Sequence, residues 1–510
     1  VSWFDGIATG YDVRVQRLDG AGNELLPHQG VLVADRGFTS TQDYGISLDA
    51  VGRALLAFRD DSPGGVQITA AMIADDGTAV WGALGVQLTS TASFVASPKI
   101  AGTSDGAAVV AWTQDSTVRV QRLDATGTPQ WAADVVLTPP AGSYSVADLQ
   151  PAGSDVILSM VHQTGGFSSP RRLVALKLDI SGASLWGATP QNLFDTGSVQ
   201  IGNFPGFISD GNGGGVFTWY TTSPLQCFAQ HLRSDGSEAF PHNGTPVSTN
   251  AAQIRVNPTA AYVPQTGETI VSWQEQNSLQ SQSGLYSQKL DATGNRLWGA
   301  AGAVQIGLSA TQIGNIRNLA DAYGAFVFYV STPSFGQGVV RALRLDAAGA
   351  ILQPPFDVSS TPSSKSRLAS VRSALGQALL AFADDRSDSG DIFAQNVNCD
   401  GTLGQPSPSA PWLDVGNALA GFAGPPTLTG SGTLCVGAPL SIPLGNARPN
   451  TTAVLILGFS VIAQPLLGGV IVPNPDVIVG LPTGPLGVID LVTTVPSALP
   501  PQFQFHLQYW

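Results

Sequence analysis

Apolar and polar positions along this chain recur as one phrase. Each copy opens with an apolar run, most ending in an aromatic: VSWFD (1–5), LLAFRDD (55–61), VVAWTQD (109–115), ILSMVHQ (157–163), VFTWYTT (216–222), IVSWQEQ (270–276), FVFYVST (326–332) and LLAFADD (379–385). A polar turn follows, then an alternating stretch such as VRVQRLD (118–124), whose period of two marks a strand. Asp-x-x-Gly closes that strand as a short hairpin connection, since Asp bonds backbone amides and Gly takes positive φ. The next strand carries Trp81, Trp131, Trp186 or Trp298. A fourth strand precedes the apolar run and ends in a glycine-rich turn, as in SPKIAGTSDG (97–106) and GFISDGNGGG (206–215). No helical periodicity interrupts the pattern.

The turn glycines are Gly22, Gly77, Gly127, Gly182, Gly236, Gly294, Gly349 and Gly401, spaced by 55, 50, 55, 54, 58, 55 and 52 residues. Four short antiparallel strands in a repeat of this size make a propeller blade, while the coils of a β-helix are shorter and lack hairpins. Residues 1–42 supply the last three strands of a blade and residues 368–403 the first three of another. The predicted fold is therefore all-β: an eight-bladed propeller over 1–404, with seven blades as the alternative if the ends share one.

The Pro/Ser/Gly-rich stretch 405–424 reads as a linker, and 425–510 changes character. Its formally charged side chains are Arg448, Asp476 and Asp490, and β-branched runs such as TTAVLILGF alternate with Pro and Gly turns. The prediction for 425–510 is a small antiparallel β-sandwich. Surface with so little charge invites packing against another protein or another copy. The final strand FQFHLQYW could also add to the edge of a neighbouring subunit.

Charge narrows the function classes. A net charge of -13 with 23 Lys and Arg against 36 Asp and Glu lacks the clustered cations of a nucleic-acid surface. Lysine occurs only as Lys99, Lys177, Lys289 and Lys365. Charged residues make up 12% of the chain, against roughly 25% in ordinary soluble domains, a composition that suits an extracellular protein. No apolar run is long enough to span a bilayer. The chain begins at Val1 within a strand-like segment, and the expectation is that a secretory signal has been removed. Cys399 and Cys435 flank the domain junction and are a candidate disulfide, leaving Cys227 free.

The stretch LLAFADDRSDSGDIFAQNVNCDGTLG (379–404) resembles the repeat of secreted bacterial β-propellers, in which Trp-x-Asp-x-Arg is followed by Asp-Ile-Tyr-Ala-Gln-Arg-Leu-Asp, Gly and Trp. The resemblance covers 1–404 by pattern and implies an exported or surface protein. Ala74, Arg233 and Asn398 stand where the Asp before the turn would be, and Met160 where the Trp would be. The tail motifs NARPN (446–450), GGVIVP (468–473) and QYW (508–510) are similar to C-terminal modules of exported bacterial proteins, which implies a part in export or surface attachment.

Chemistry leaves few marks. His28, His162, His231, His242 and His506 fall in different repeats or domains, and neither Gly-x-Ser-x-Gly nor His-Glu-x-x-His occurs. Asp384, Asp385, Asp388 and Asp391 cluster oxygen donors of the kind Ca²⁺ takes, although a salt-bridged Asp-Arg turn accounts for the same residues. Glu275 and Asp115 are carboxylates that could face a ring axis or stand in solvated loops. Trp at fixed strand positions reads as packing between blades. With no catalytic motif and no assigned cofactor, the expectation is a non-enzymatic extracellular or cell-surface structural or binding protein of a bacterium. Its partners would be further copies, another surface protein or glycans, with no nucleic acid and no membrane-spanning segment. The alternatives are a lectin-like propeller and a polysaccharide-acting hydrolase or lyase.

Overall fold

The computed structural model describes residues 1–8, 10–36, 44–61, 65–90, 93–321, 324–373, 376–388, 390–404, 412–421, 424–432, 439–495 and 504–510. Every regular element among them is a strand. By its internal contacts the chain divides into two compact units. The first comprises Val1–Ala320, Gly324–Ala369 and Ala381–Ala394, and the second Asp321–Tyr323, Ser370–Leu380 and Gln395–Trp510.

From residue 2 to 397 the described strands form eight sheets, each antiparallel and each hydrogen-bonded in sequence order. Six have four strands. A representative one runs Val95–Gly102, Ala108–Gln114, Thr117–Leu123 and Val135–Leu137. The first sheet, Ser2–Ile7, Gly10–Val15 and Val31–Ala34, has three strands, as does the last, Lys365–Arg372, Ala378–Asp384 and Asp391–Val397. Such consecutive meanders are the blades of a β-propeller.

In the six four-stranded sheets the apolar run is buried on both faces, which is why it is continuous rather than alternating. Within Ala108–Gln114, Val109 and Ala111 join a core shared with the following sheet, where Tyr144, Val146 and Met160 lie. Ala108, Val110 and Trp112 join the core shared with the preceding sheet, where Leu55, Ala57 and Ile68 lie. The same division holds for Ala54–Asp60: Leu56 and Phe58 pack on the first sheet, Leu55 and Ala57 on the third. Each core thus belongs to two sheets at once, and a single blade would have none.

The recurring Trp and Gly meet across these seams. Trp81 Nε1 donates to the Ala125 carbonyl at 3.1 Å, Trp131 Nε1 to Ile180 at 3.0 Å and Trp186 Nε1 to Ser234 at 3.0 Å. Two residues after each acceptor stands the turn glycine of the next blade, at φ +84° for Gly127 and Gly182 and +82° for Gly236. A Cβ at Gly236 would lie 2.6 Å from Trp186 Cγ, so positive φ and the indole ring both require glycine there. Asp124 supports its turn by accepting from the backbone N–H of Thr126 at 2.8 Å and of Thr128 at 2.9 Å. The conspicuous repeat is therefore a clasp between neighbouring blades.

In the second unit, Thr427–Leu428, Pro439–Gly445 and Ile489–Thr494 form one sheet, and Val477–Pro482, Thr452–Gly458 and His506–Tyr509 another. Leu444 and Ile489 of the first share an apolar cluster with Ala453, Leu481 and Tyr509 of the second. The terminal strand, read above as a donor to a neighbour, pairs within its own chain, Leu455 opposite Tyr509 and Gly458 opposite His506.

Candidate functional site

The first strands of three of the complete blades carry a local irregularity at the same place. Register shifts occur between Ala96 and Lys99, Val146 and Asp148, and Val256 and Thr259. Ser97, Asn257, Asn315 and Arg367 adopt φ of 51°, 54°, 50° and 53°, values uncommon for residues with side chains. A β-bulge puts two residues opposite one and re-aims the side chains that follow. Lys99, Asp148 and Thr259 each pair with the residue just before the large core side chain of the second strand: Ala111 before Trp112, Ser159 before Met160, Ser272 before Trp273. Arg317 follows Asn315 by two residues, as Lys99 follows Ser97.

First strands from five sheets bound one cavity of about 590 Å³, lined by Tyr44–Ser47, Lys99, Ile100, Asp148–Gln150, Arg317 and Arg367–Ala369. All of these residues belong to the first unit. The second sheet, through Tyr44–Ser47, and the last, through Arg367–Ala369, thus line the same cavity.

Asp148 is the one carboxyl among the described lining residues. Its Oδ1 accepts from the Leu149 N–H at 2.9 Å; its Oδ2 accepts from Gln150 Nε2 at 3.0 Å and from the Phe207 N–H at 3.1 Å. Burial pushes its pKa up from the usual carboxylate value, and this outweighs the pull of Gln150, the charge of Lys99 and the two backbone N–H groups. Gly206, whose Cβ would come 3.5 Å from Asp148 Oδ2, leaves room beside the carboxyl. Arg317 gives Nη1 to the Ile316 carbonyl at 2.7 Å, and burial lowers its pKa. Tyr44 donates its hydroxyl to the Ser2 carbonyl at 3.3 Å; burial raises its pKa against the charge of Arg367.

A second cavity of about 640 Å³ lies beside Trp131, Ile180, Arg122 and Asp105. There Arg122 is already engaged by Asp105 and by the Ser154 carbonyl, so it offers less unspent chemistry.

The carboxylates singled out in the sequence lie elsewhere. Asp384 is fully buried with Lys365 Nζ at 2.9 Å, and it also takes Arg386 and Ser363. Burial would raise its pKa, but the bonds from Arg386, Ser363 and Lys365 outweigh it and hold the carboxyl well below the usual range. Asp385 accepts from the Ser364 N–H at 2.6 Å and Asp388 from the Gly390 N–H at 3.0 Å, while Asp391 begins a strand. Among the described residues no three His, Cys, Asp or Glu side chains gather as a metal-holding group.

Glu275 lines neither an axis nor a solvated loop. It is 1% exposed, 3.5 Å from Arg255, and accepts from Trp273 Nε1 at 2.5 Å; burial raises its pKa. Asp115 is an exposed turn residue that accepts from the Phe94 N–H at 3.1 Å. His231 and Asp210 form a buried pair at 3.0 Å, which the sequence did not connect. Cys227 is free and buried; Cys399 is disulfide-bonded, and Cys435 lies outside the described residues.

Asp148, Lys99, Arg317 and Arg367 were not singled out as site residues by the sequence reading. One signal was available: Lys99 is one of four lysines in 510 residues.

No protein-family model matches this chain, and no curated protein matches it. Among solved structures it is similar to the Dos1 propeller, at 12% identity and TM-score 0.39, over 78% of this chain and 89% of that one. It is similar to polysaccharide lyase PL25-Ulvanlyase bound to -[GlcA(1-4)Rha3S]-, at 11% identity and TM-score 0.39, over 58% of this chain and 79% of that one. It is also similar to prolyl oligopeptidase B from Galerina marginata, at 12% identity and TM-score 0.37, over 69% of this chain and about half (49%) of that one. The expectation of a protein without enzymatic activity is corrected: want of a contiguous motif is no ground for excluding catalysis, since a propeller assembles a site from residues far apart in sequence.

Proposed function

We propose that residues 1–404 form an eight-bladed propeller that binds a polysaccharide in the cavity at the convergence of its first strands and cleaves it. Asp148 is the proton donor to the leaving glycosidic oxygen as the C–O bond breaks, and water adds at the anomeric carbon and returns a proton to Asp148, leaving a new reducing end. The observation that carries this reading is a carboxyl on the cavity wall whose pKa is raised by burial, the direction of shift a general acid needs. Eight successive sheets support the blade count. The cluster of Leu444, Ala453 and Ile489 supports a small sandwich for the tail, and the charge-poor surface supports work outside the cell.

The test is chain shortening of neutral and acidic polysaccharides, followed by reducing-end release. Asp148→Asn should lower turnover by about 10²-fold or more while leaving glycan affinity in place. If no glycan is cleaved, or if Asp148→Asn cleaves as fast as the parent, the assignment of Asp148 fails.

A further inference from the structure

We infer that the cavity selects a sugar unit bearing an anionic group, carboxylate or sulfate ester, with Arg317 as its principal counter-charge and Lys99 and Arg367 beside it; this deepens the reading above and rests on it. The argument starts from how this chain treats its other interior cations. Arg122 pairs with Asp105, Lys177 with Asp155 at 3.5 Å, Arg255 with Glu275 at 3.5 Å, Lys289 with Glu268 at 3.1 Å and Lys365 with Asp384 at 2.9 Å. Interior cations are paired because an unpaired one forfeits its hydration.

Half-buried Lys99 and Arg317 and exposed Arg367 have no salt bridge among the described residues, and all three line one cavity in a chain of net charge -13. Asp148, the one carboxyl among the described lining residues, spends its oxygens on the Leu149 N–H, Gln150 and the Phe207 N–H and forms no salt bridge with any of the three. Three cations against one carboxyl leave a positive cavity, and an entering anion supplies the partner that Arg122, Lys177, Arg255, Lys289 and Lys365 have within the chain. Arg317 is the centre of the proposal because the sheet holds it on two sides. Its own strand carries the left-handed Asn315 two residues earlier, and its Nη1 is tied to the Ile316 carbonyl, so the remaining guanidinium donors are pre-set for a planar, two-oxygen partner.

The experiment uses the full chain carrying Asp148→Asn, so that binding is read without turnover. Isothermal titration is run with an oligouronate, with its carboxyl-reduced counterpart and with a sulfated oligosaccharide of the same length. The expected result is about tenfold or greater preference for one or both anionic ligands over the reduced one, weakening as salt is raised. Adding Arg317→Gln should abolish that preference and Lys99→Gln should reduce it; near-ultraviolet circular dichroism confirms that each variant is folded, and Lys99→Gln carries the test if Arg317→Gln is not. Tighter binding of the uronate assigns a carboxylate, and tighter binding of the sulfated chain a sulfate. Equal affinity for the reduced oligomer, or a preference that survives both substitutions, overturns the inference while the polysaccharide reading stands. Failure of all three ligands to bind overturns both.

Discussion

Gly236→Ala isolates the clasp between blades. Gly236 sits at φ +82°, where an L-residue costs roughly 1–2 kcal/mol. Its new methyl would also lie 2.6 Å from Cγ, 2.7 Å from Cδ1 and 2.9 Å from Cβ of Trp186, a side chain 4% exposed that is fixed by its bond to the Ser234 carbonyl. Forcing such a ring aside adds roughly 1–3 kcal/mol of overpacking, for a total of about 2–5 kcal/mol. Gly106 is the control: it has φ +84° and the same i to i+3 turn bond, to Thr103 at 3.0 Å, but nothing within 4 Å of a new methyl. Gly106→Ala should therefore cost only the backbone part, about 1–2 kcal/mol. Urea unfolding followed by tryptophan fluorescence reads both through the change in midpoint at constant slope. Combining Gly236→Ala with Trp186→Ala should recover much of the excess, since the Cγ and Cδ1 that the methyl meets are then gone. Equal losses for Gly236→Ala and Gly106→Ala, within about 0.5 kcal/mol, would refute the claim that the turn glycine is kept for its neighbour's ring.

Trp131→Phe should cost about 1–2 kcal/mol by stranding the Ile180 carbonyl, whereas Trp298→Phe should cost less, because the Trp298 Nε1 is buried without a partner; identical melting shifts would contradict this. Asp384→Asn should destabilise by about 3–5 kcal/mol at neutral pH by leaving Lys365 buried and uncompensated. The folded pKa of Asp384 is depressed, so the stability it contributes is present above its unfolded value of 3.8 and lost as pH falls below it. The difference between variant and parent should accordingly be flat at neutral pH and shrink in acid; a pH-independent gap refutes the pairing. Asp148 has the opposite sign. Its folded pKa is raised, so the parent loses stability as pH rises from the unfolded value through the folded one, while Asp148→Asn does not. The melting temperature of the variant should gain on the parent with rising pH, and a gap that narrows instead would reverse the assignment of its environment.

The repeat, its strands and its turns were legible in the sequence because each is dictated locally. Alternation sets a strand, Asp-x-x-Gly sets a hairpin, and a continuous apolar run marks a strand covered on both faces. The position of Trp81, Trp131 and Trp186 was legible too, but not the atom each one meets: the acceptors Ala125, Ile180 and Ser234 are 44, 49 and 48 residues away. Asp384 advertised itself by standing among other aspartates, yet burial beside Lys365 makes it an ion pair. The cavity left no contiguous motif. Tyr44, Lys99, Asp148, Arg317 and Arg367 come from five different repeats, one to a strand, and no spacing along the chain connects them. Local sequence determined the blades, because turn and strand preferences act over a few residues. Which side chains face one another where first strands converge was decided only by packing blade against blade, since that proximity exists only once the array has folded.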